Sequence, residues 1–326
     1  MTNPWNLYDD LIDEIPGHIT VAAAYIGTKW CRVTSSERGA GMAFAMPVRT
    51  RPASYGEDDL AGLPLREVAA LAKSWNLAEA GLGMAAINAY HSLPKRAFGN
   101  GFSPCHENNW ARAFHPYREV IAGKKVAVIG HFPFAASALA DAAELFILER
   151  NPVEGDYPDS AAEYLLPGCD YVFITGSSFV NKTIPRLLEL SRNATTVMIG
   201  PSTPASPILF DYGVDVITAF ACDQGALLDE ALDGNLLGGM YEAGMRVERA
   251  KPCEGLRPPE GLEGYAGEGL GLLLDRHLGG KALDRAGPVE SDHALRPAEH
   301  VLRVLRLGDR PAVAEDEDVG IDLDGG

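Results

Sequence analysis

The chain has 326 residues, of which 46% are hydrophobic and 22% are charged, and this is enough for two ordinary domains with buried cores. Its formal net charge of −17 argues against nucleic acid or an anionic membrane as the main partner, because both require a basic surface. A small molecule, a cation or a protein partner remains, and a second copy of this chain would be one such protein.

The first seventeen residues carry acidic side chains where a signal peptide would carry basic ones, and no apolar run reaches the roughly eighteen residues of a spanning helix. We therefore expect a cytoplasmic protein. Its five cysteines are odd in number, widely separated and without a CxxC pair, which predicts free thiols rather than a disulfide framework or a zinc ribbon. They are Cys31, Cys105, Cys169, Cys222 and Cys253.

The N-terminal part reads as a small sheet followed by helices. Residues 1–16 predict a short amphipathic helix, residues 18–36 predict two strands hinged near Gly27, and GAGMAFAMPV predicts a third antiparallel strand. A helix is expected from Pro64 to about Ser74, and another from Asn76, with Glu79 at the spacing of a capping box. We expect an α+β domain over residues 1–122.

Five apolar, β-branched segments alternate with helical stretches in residues 123–252, and this pattern predicts a doubly wound parallel sheet. Ligands of such sheets lie outside the carboxyl ends of the strands. We therefore expect Gly176-Ser177-Ser178 and Gly200-Pro201-Ser202-Thr203 to face the site. The five strand segments are GKKVAVIG, AELFILE, DYVFITG, TTVMIG and VDVITAF.

After Pro252 the composition changes. Residues 253–326 are rich in glycine and acidic residues and contain a single aromatic residue, Tyr265. Such a segment cannot bury much apolar surface, which predicts a mostly disordered, solvated tail that the site does not need.

The turn after the first strand of the second domain argues against NAD or FAD. Only Gly130 of a GxGxxG fingerprint is present; Phe132 blocks close approach of a pyrophosphate, and Pro133 removes an amide donor. Glu149 follows nineteen residues after Gly130, where related folds carry an acid that binds a ribose diol. An exposed strand end paired with Arg150 explains this residue equally well.

Two further polar segments are candidates for ligand binding. Asp156 and Glu163 lie in an acidic stretch that would hold a cation with oxygen ligands, or would simply be a solvated face. The segment Gly176–Thr183 joins a strand to a helix and predicts an anion site at the helix N-terminus, unless Asn181 or Ser178 is only a cap. Lys182 is disfavoured beside the positive end of a helix, so an anion or a carboxylate should compensate it.

Other metal-binding patterns are weak. Cys105-His106-Glu107 together with His115 could clip a soft divalent ion, but no zinc spacing is matched. His91, at a helix end, is expected to be a cap or a surface group. No Ser–His–Asp arrangement follows from the order of residues.

Several long motifs occur in order over roughly residues 5–250, and through them the chain resembles a family of unknown function labelled "putative heavy-metal chelation". These motifs are SWNLAEAGLGMAAINAYHS, GKKVAVIGHFPF, the stretch from Glu149 to Ser191, and GPSTPASPILFDYGVD. The resemblance implies an enolase-N-terminal-like domain, a Rossmann-like domain and a site in the cleft between them. It does not imply enolase activity.

The resemblance places the following residues near that cleft: Glu79, Asn88, Gly130, His131, Glu149, Asp156, Glu163, Gly176, Ser177, Asn181, Lys182, Ser202 and Thr203. We expect a protein that binds a heavy metal or a metal chelate there, with Glu149, Asp156 and Glu163 as candidate metal ligands. The alternative is an enzyme acting on a nucleoside-bearing ligand of the S-adenosylmethionine type, with Glu149 on the ribose. A third possibility is an interaction module that uses the acidic tail.

Overall fold

The computed structural model describes residues 3–48, 50–55, 60–236 and 238–252. The predicted tail, residues 253–326, lies outside these residues, as does Cys253. The other four cysteines are free thiols, as predicted. Within the described part of the chain, no helix is long and apolar enough to cross a membrane.

The N-terminal region is a three-stranded antiparallel sheet covered by helices, as predicted. Close backbone packing explains the small residues of its central helix: a Cβ atom on Gly83 would lie 1.9 Å from the amide nitrogen of Ala72. The elements are α1 (Asn6–Asp13), β1 (Val21–Ile26), β2 (Trp30–Ser35), β3 (Ala40–Phe44), α2 (Leu65–Ala70), a 3₁₀ turn (Leu71–Lys73), α3 (Leu77–His91) and α4 (Pro94–Gly99).

The second region is an eight-stranded, mostly parallel sheet. In chain order its strands are β4 (Ser103–Pro104), β5 (Lys125–Ile129), β6 (Glu144–Glu149), β7 (Tyr157–Pro158), β8 (Tyr171–Thr175), β9 (Thr195–Ile199), β10 (Val216–Cys222) and β11 (Gly244–Ala250). Their order across the sheet is β4-β11-β10-β9-β8-β5-β6-β7. The five predicted strands are the five central ones, and they run parallel to one another.

The outer strands were not predicted. β11 runs antiparallel to β10 and carries β4 on its other side. Its sequence, GMRVERA, has three charged residues and buries only Arg246 and Val247, so it lacks the continuous apolar run by which the central strands were predicted. The central strands, by contrast, bury consecutive residues such as Val172, Phe173 and Ile174, because helices and loops cover both faces.

The helices of the second region are short. The helices are α5 (Ala135–Ala138), α6 (Ala162–Leu165), α7 (Ser177–Val180), α8 (Ile184–Leu190) and α9 (Gly225–Leu232). Single 3₁₀ turns occur at Trp110–Arg112, His115–Tyr117, Asp159–Ala161, Leu166–Gly168, Pro207–Tyr212 and Gly239–Glu242. The predicted α/β fold class is confirmed; the finer enolase-like and Rossmann-like assignments stay predictions.

One hydrophobic core joins both sheets. Met84 of α3 and Phe179 of α7 belong to the same cluster of buried side chains, and the Tyr8 hydroxyl donates a 2.8 Å hydrogen bond to the Phe179 carbonyl. A second cluster covers the other face of the large sheet and includes Phe114 and Ile121, which precede the predicted boundary at residue 122. That boundary stays a prediction.

The prediction for His91 was wrong. Its side chain is fully buried, with Nε2 2.9 Å from the Leu11 carbonyl and Nδ1 3.5 Å from the Glu14 carboxylate. Burial lowers the pKa of His91 to about 4, so the ring is neutral at pH 7. The reason is tertiary: α1 packs over the end of α3, which the order of residues does not reveal.

Candidate functional site

A cavity of about 730 Å³, here called the cleft, lies between the small sheet and the carboxyl ends of β5, β6, β8 and β9. This is the edge of the large sheet where we expected ligands to bind. Its walls include Lys29, Trp30, Phe44 and Met46 from the small sheet and its flanking loops. From the large-sheet side they include Gly130–Phe132, Glu149–Asn151, Asp159, Ser160, Glu163, Thr175–Ser178, Asn181, Thr183, Arg186 and Gly200–Ser202.

The small sheet contributes an aromatic wall. Trp30 and Phe44 are direct partners across β2 and β3, and their rings meet edge to face with centroids 5.9 Å apart. Phe132, in the turn after β5, adds a third ring, which packs edge to face on Phe114. Phe132, the residue that we expected to block the approach of a pyrophosphate, is therefore part of the cleft wall.

The loops after β8 and β9 approach each other closely below the cleft. A Cβ atom on Gly176 would lie 2.5 Å from the amide nitrogen of Thr203, so only glycine fits there. Ser202 is buried, and its hydroxyl accepts a 2.9 Å hydrogen bond from the Phe44 amide of the small sheet. Thr203 is also fully buried, and its hydroxyl has no hydrogen-bond partner among the described residues.

Glu149 ties the loops after β5 and β6 together. Its Oε2 accepts a 2.9 Å hydrogen bond from the His131 amide, and its Oε1 accepts a 2.8 Å bond from the Arg150 amide. The Arg150 guanidinium instead pairs with Asp159, with Nε 3.2 Å from Oδ2. The predicted side-chain pair between Glu149 and Arg150 is therefore not formed.

Asp156 and Glu163 are engaged by two different basic side chains. Asp156 has a largely buried carboxylate, with Oδ2 2.9 Å from Nδ1 of His131. Glu163 accepts two hydrogen bonds from Arg186, which lower the pKa of this carboxyl group. Across the described ranges, no group of three or more His, Cys, Asp or Glu side chains is arranged to hold a metal ion.

The second candidate metal pattern is also unassembled. Nδ1 of His115 lies 3.7 Å from the Glu107 carboxylate, as an ordinary surface pair. Cys105 takes no part in this pair: its backbone amide donates to the Arg246 carbonyl of β11, and burial raises the pKa of its thiol. A thiol held in its neutral form is a poor metal ligand.

The segment from Gly176 to Thr183 contains one short helix, α7, followed by a turn that leads into α8. Asn181 lies between α7 and α8, and its Oδ1 accepts hydrogen bonds from the Thr183 amide and hydroxyl, which form a local turn before α8. The N-caps of the two helices are Gly176 and Thr183, and neither makes a side-chain capping bond, so the expected cap by Asn181 or Ser178 is not formed. Lys182 follows the C-terminal end of α7, and its ammonium donates a 2.9 Å hydrogen bond to the Val180 carbonyl. Neither Glu149 nor Asp156 compensates it, and it is not among the described residues of the cleft wall.

The two candidates from the N-terminal region, Glu79 and Asn88, lie in the protein interior. Glu79 is buried and accepts hydrogen bonds from the Ser54 amide at 2.5 Å, the Tyr55 amide at 2.9 Å and the Ser74 hydroxyl at 2.5 Å. The capping-box prediction was therefore wrong, although Asn76 does cap α3. Buried Asn88 donates to the Met42 carbonyl at 2.8 Å.

Eight of the predicted site residues line the cleft: Gly130, His131, Glu149, Glu163, Gly176, Ser177, Asn181 and Ser202. The other five do not line it: Glu79, Asn88, Asp156, Lys182 and Thr203. Sequence reasoning missed Lys29, Trp30, Phe44 and Arg186. The spacing of Trp30 and Phe44 around the predicted turns would have paired them across two strands. It would not have revealed that this pair faces the large sheet.

Two family models match the chain, and both are described as "Putative heavy-metal chelation". The DUF4213 model matches residues 8–91, and the DUF364 model matches residues 112–248. Among curated proteins, an uncharacterized protein of Methanocaldococcus jannaschii is 29% identical over 162 residues. That match covers 48% of this chain and 59% of the relative, so the chain spans about three fifths of the relative's length.

Two crystal structures of the DUF364 family, both of unknown function, share this architecture. The protein from Desulfitobacterium hafniense DCB-2 is 40% identical, with a TM-score of 0.70, and the match covers 77% of this chain and 100% of that one. The protein from Pyrococcus horikoshii is 21% identical, with a TM-score of 0.60, and the match covers 76% and 99% of the two chains. At that identity the second structure supports the fold alone.

Proposed function

This chain belongs to the DUF364 family, and we propose on that premise that its cleft binds a small anionic metal chelate. The family descriptions suggest heavy-metal chelation in general terms. The proposal is narrower: the donors that hold the metal belong to an organic ligand, and the protein recognises that ligand as a whole.

The size of the cleft is the observation that carries the proposal. Its volume of about 730 Å³ falls within the range of about 300–1,000 Å³ that is usual for sites of small organic molecules. A bare ion with its protein ligands needs far less space. A metal held inside an organic chelate would fill the cleft and contact both of its walls.

The state of the carboxylates also favours a chelate over a bare ion. A bare ion bound by Asp156 and Glu163 would have to displace His131 from the first and Arg186 from the second. Glu149 already accepts backbone hydrogen bonds on both oxygens. The residues present therefore do not fit a resident metal cofactor, and a chelate that supplies its own donors avoids these losses.

The cleft wall contains groups suited to an anionic organic ligand. Lys29 is exposed in the wall and forms no ion pair within the described ranges, so its ammonium is available to a ligand carboxylate. The rings of Trp30 and Phe44 offer apolar surface for the body of the ligand. Ser177 and Asn181 add polar groups that would orient it.

An enzyme acting on a nucleoside-bearing ligand is the second candidate. Glu149 lines the cleft at the end of β6, beside the Gly130 turn, and Trp30 could stack on a base. Against it, both oxygens of Glu149 hold backbone amides, which leaves fewer lone pairs for a ribose diol.

The experiment that separates these candidates is the analysis of what the purified full chain carries. The protein is denatured, and the released material is analysed for metals and, by mass spectrometry, for organic molecules. We expect a metal and an organic ligand in equal amounts. A metal released without an organic ligand would overturn the chelate proposal, and a nucleoside without a metal would support the second candidate.

A titration then tests the location of the site. Protein freed of bound material is titrated calorimetrically with Ni(II)–citrate as the probe, and with Ni(II) and citrate separately. We expect the complex to bind more tightly than either component, and Trp30→Ala to weaken it roughly 10-fold or more. Tyr164→Ala is the matched control, because Tyr164 is 86% exposed and outside the cleft wall. Equal affinities of these two variants would exclude the cleft.

A further inference from the structure

Lys182 occupies an unusual backbone conformation. Its φ angle is +64°, and Arg38 is the other described non-glycine residue with a positive φ angle. Such a conformation persists when neighbouring interactions hold it, and it is found more often at functional positions than elsewhere. Here the Lys182 amide donates to the Phe179 carbonyl, and Asn181 holds the next residue, Thr183, through two hydrogen bonds.

The ammonium group of Lys182 lies in a largely apolar environment. Nζ donates to the Val180 carbonyl at 2.9 Å and lies 5.8 Å from the ring centroid of Trp75. No carboxylate of the described residues forms an ion pair with it. Removal from water without a compensating charge lowers the pKa of Lys182 to about 8.

Other lysines of the molecule are in the opposite situation. Lys73 pairs with Asp9, and Lys125 pairs with Glu144, whose hydrogen bond raises the pKa of this lysine. A carboxylate keeps an amine protonated and so suppresses its nucleophilicity. Lys182 is free of this suppression.

An exposed aromatic surface adjoins the amine. Trp75 is 59% exposed, which is unusual for so large an apolar side chain, and its ring meets that of Trp5 at 5.7 Å, edge to face. The exposed face of such a ring provides a stacking surface for a planar molecule. A reactive amine and a stacking surface thus lie within a few ångströms of each other.

From this geometry we propose that Lys182 is a covalent modification site that condenses with aromatic aldehydes stacked on Trp75. The neutral amine attacks the carbonyl carbon, the carbonyl oxygen leaves as water with the two amine protons, and a C=N bond replaces the C=O bond. No oxidant or reductant takes part in this step. The product is an imine, which remains reversible.

This site is independent of the proposed chelate site. Lys182, Trp75 and Trp5 are all absent from the described wall of the cleft. Failure of either proposal therefore leaves the other standing, and the two can be tested on the same protein.

The test is competitive labelling of the full chain with a limiting amount of benzaldehyde at pH 7.5. Sodium cyanoborohydride traps the imine by reducing it to a secondary amine, and peptide mapping gives the extent of labelling at each lysine. Lys124, an exposed lysine, is the internal reference. At pH 7.5 about a quarter of an amine with a pKa of 8 is neutral, whereas about 0.1% of an ordinary lysine is neutral. A less basic amine is also a weaker nucleophile, which offsets part of this difference. We therefore expect Lys182 to react roughly tenfold faster than Lys124.

Two further measurements distinguish the proposed site from a merely accessible lysine. At pH 10.5 the advantage of Lys182 over Lys124 should fall to about one or below, because an ordinary lysine is then about half neutral and is the more basic nucleophile. Trp75→Ala should lower the ratio of benzaldehyde to propanal labelling at Lys182, whereas Tyr164→Ala should leave it unchanged. Labelling of Lys182 no faster than Lys124 at pH 7.5, or a ratio unaffected by Trp75→Ala in a folded variant, would overturn the proposal.

Discussion

The backbone amide of Phe44 donates a 2.9 Å hydrogen bond to the hydroxyl of Ser202, and this bond joins the end of β3 to the loop after β9. It connects the aromatic wall of the cleft with the polar loops of the large sheet. Because Ser202 is buried, no solvent replaces its hydroxyl if the bond is lost.

We expect Ser202→Ala to lower the free energy of unfolding by about 1–3 kcal/mol, since the Phe44 amide would lose its acceptor. Urea denaturation measures this change. Ser160→Ala is the control, because Ser160 is exposed in the cleft wall, and the change there should stay within about 0.5 kcal/mol. Equal stabilities of the two variants would show that the bond does not hold the cleft together.

Glu79 should act as a structural carboxylate. Glu79→Ala removes the acceptor of two backbone amides and one hydroxyl, and we expect a loss of about 2–4 kcal/mol in unfolding free energy. Glu67→Ala, on the exposed surface of α2, is the matched control and should change little. If Glu79→Ala instead left stability intact and abolished ligand binding, Glu79 would belong to the site after all.

Gly176 should tolerate no side chain. The Cβ atom of an alanine would lie 2.5 Å from the Thr203 amide nitrogen, so the two loops would have to move apart at a cost of about 1–3 kcal/mol. Gly168→Ala is the control, since a Cβ atom there meets nothing within 4 Å. A smaller thermal shift for Gly176→Ala than for Gly168→Ala would contradict the close approach of the loops.

His91 should make stability depend on pH. Below the unfolded-state pKa of about 6.5 the unfolded chain binds a proton, whereas the folded chain resists it until about pH 4. The free energy of unfolding therefore falls as pH falls through this window, by about 2–3 kcal/mol between pH 7 and pH 4.5 for this residue. The adjacent Glu14 acts in the opposite direction, because burial raises the pKa of its carboxyl group.

The contribution of His91 is isolated by comparing variants. Urea denaturation at pH 7 and pH 4.5 gives the change for the unmodified chain, for His91→Gln and for His18→Gln, whose side chain is exposed. We expect His91→Gln to reduce the pH-dependent loss and His18→Gln to preserve it. The same loss in all three proteins would mean that His91 is protonated in the folded state.

The sequence by itself predicted the three strands of the small sheet, the five central strands of the parallel sheet and the edge of that sheet where Gly130, Gly176 and Ser202 lie, but not the outer strands β4, β7 and β11. These features follow from local patterns. The periodicity of apolar residues indicates which faces of a strand or helix are buried. Parallel strands place their carboxyl ends at the same edge of a sheet, whatever their order in it. The order of the strands did not have to be known for this.

Only the tertiary structure decided which side chains face the cleft and with what charge. Glu79 satisfies capping-box spacing but turns to a distant loop. Lys182 does precede the N-terminus of a helix, α8, as expected, but its ammonium contacts the Val180 carbonyl and the Trp75 ring instead of an anion. Asp156 and Glu163 look like metal ligands until His131 and Arg186 are found beside them. These ion-pair and hydrogen-bond partners come from residues far apart in the chain. A local stretch of sequence therefore does not predict which charged group will neutralise a given side chain.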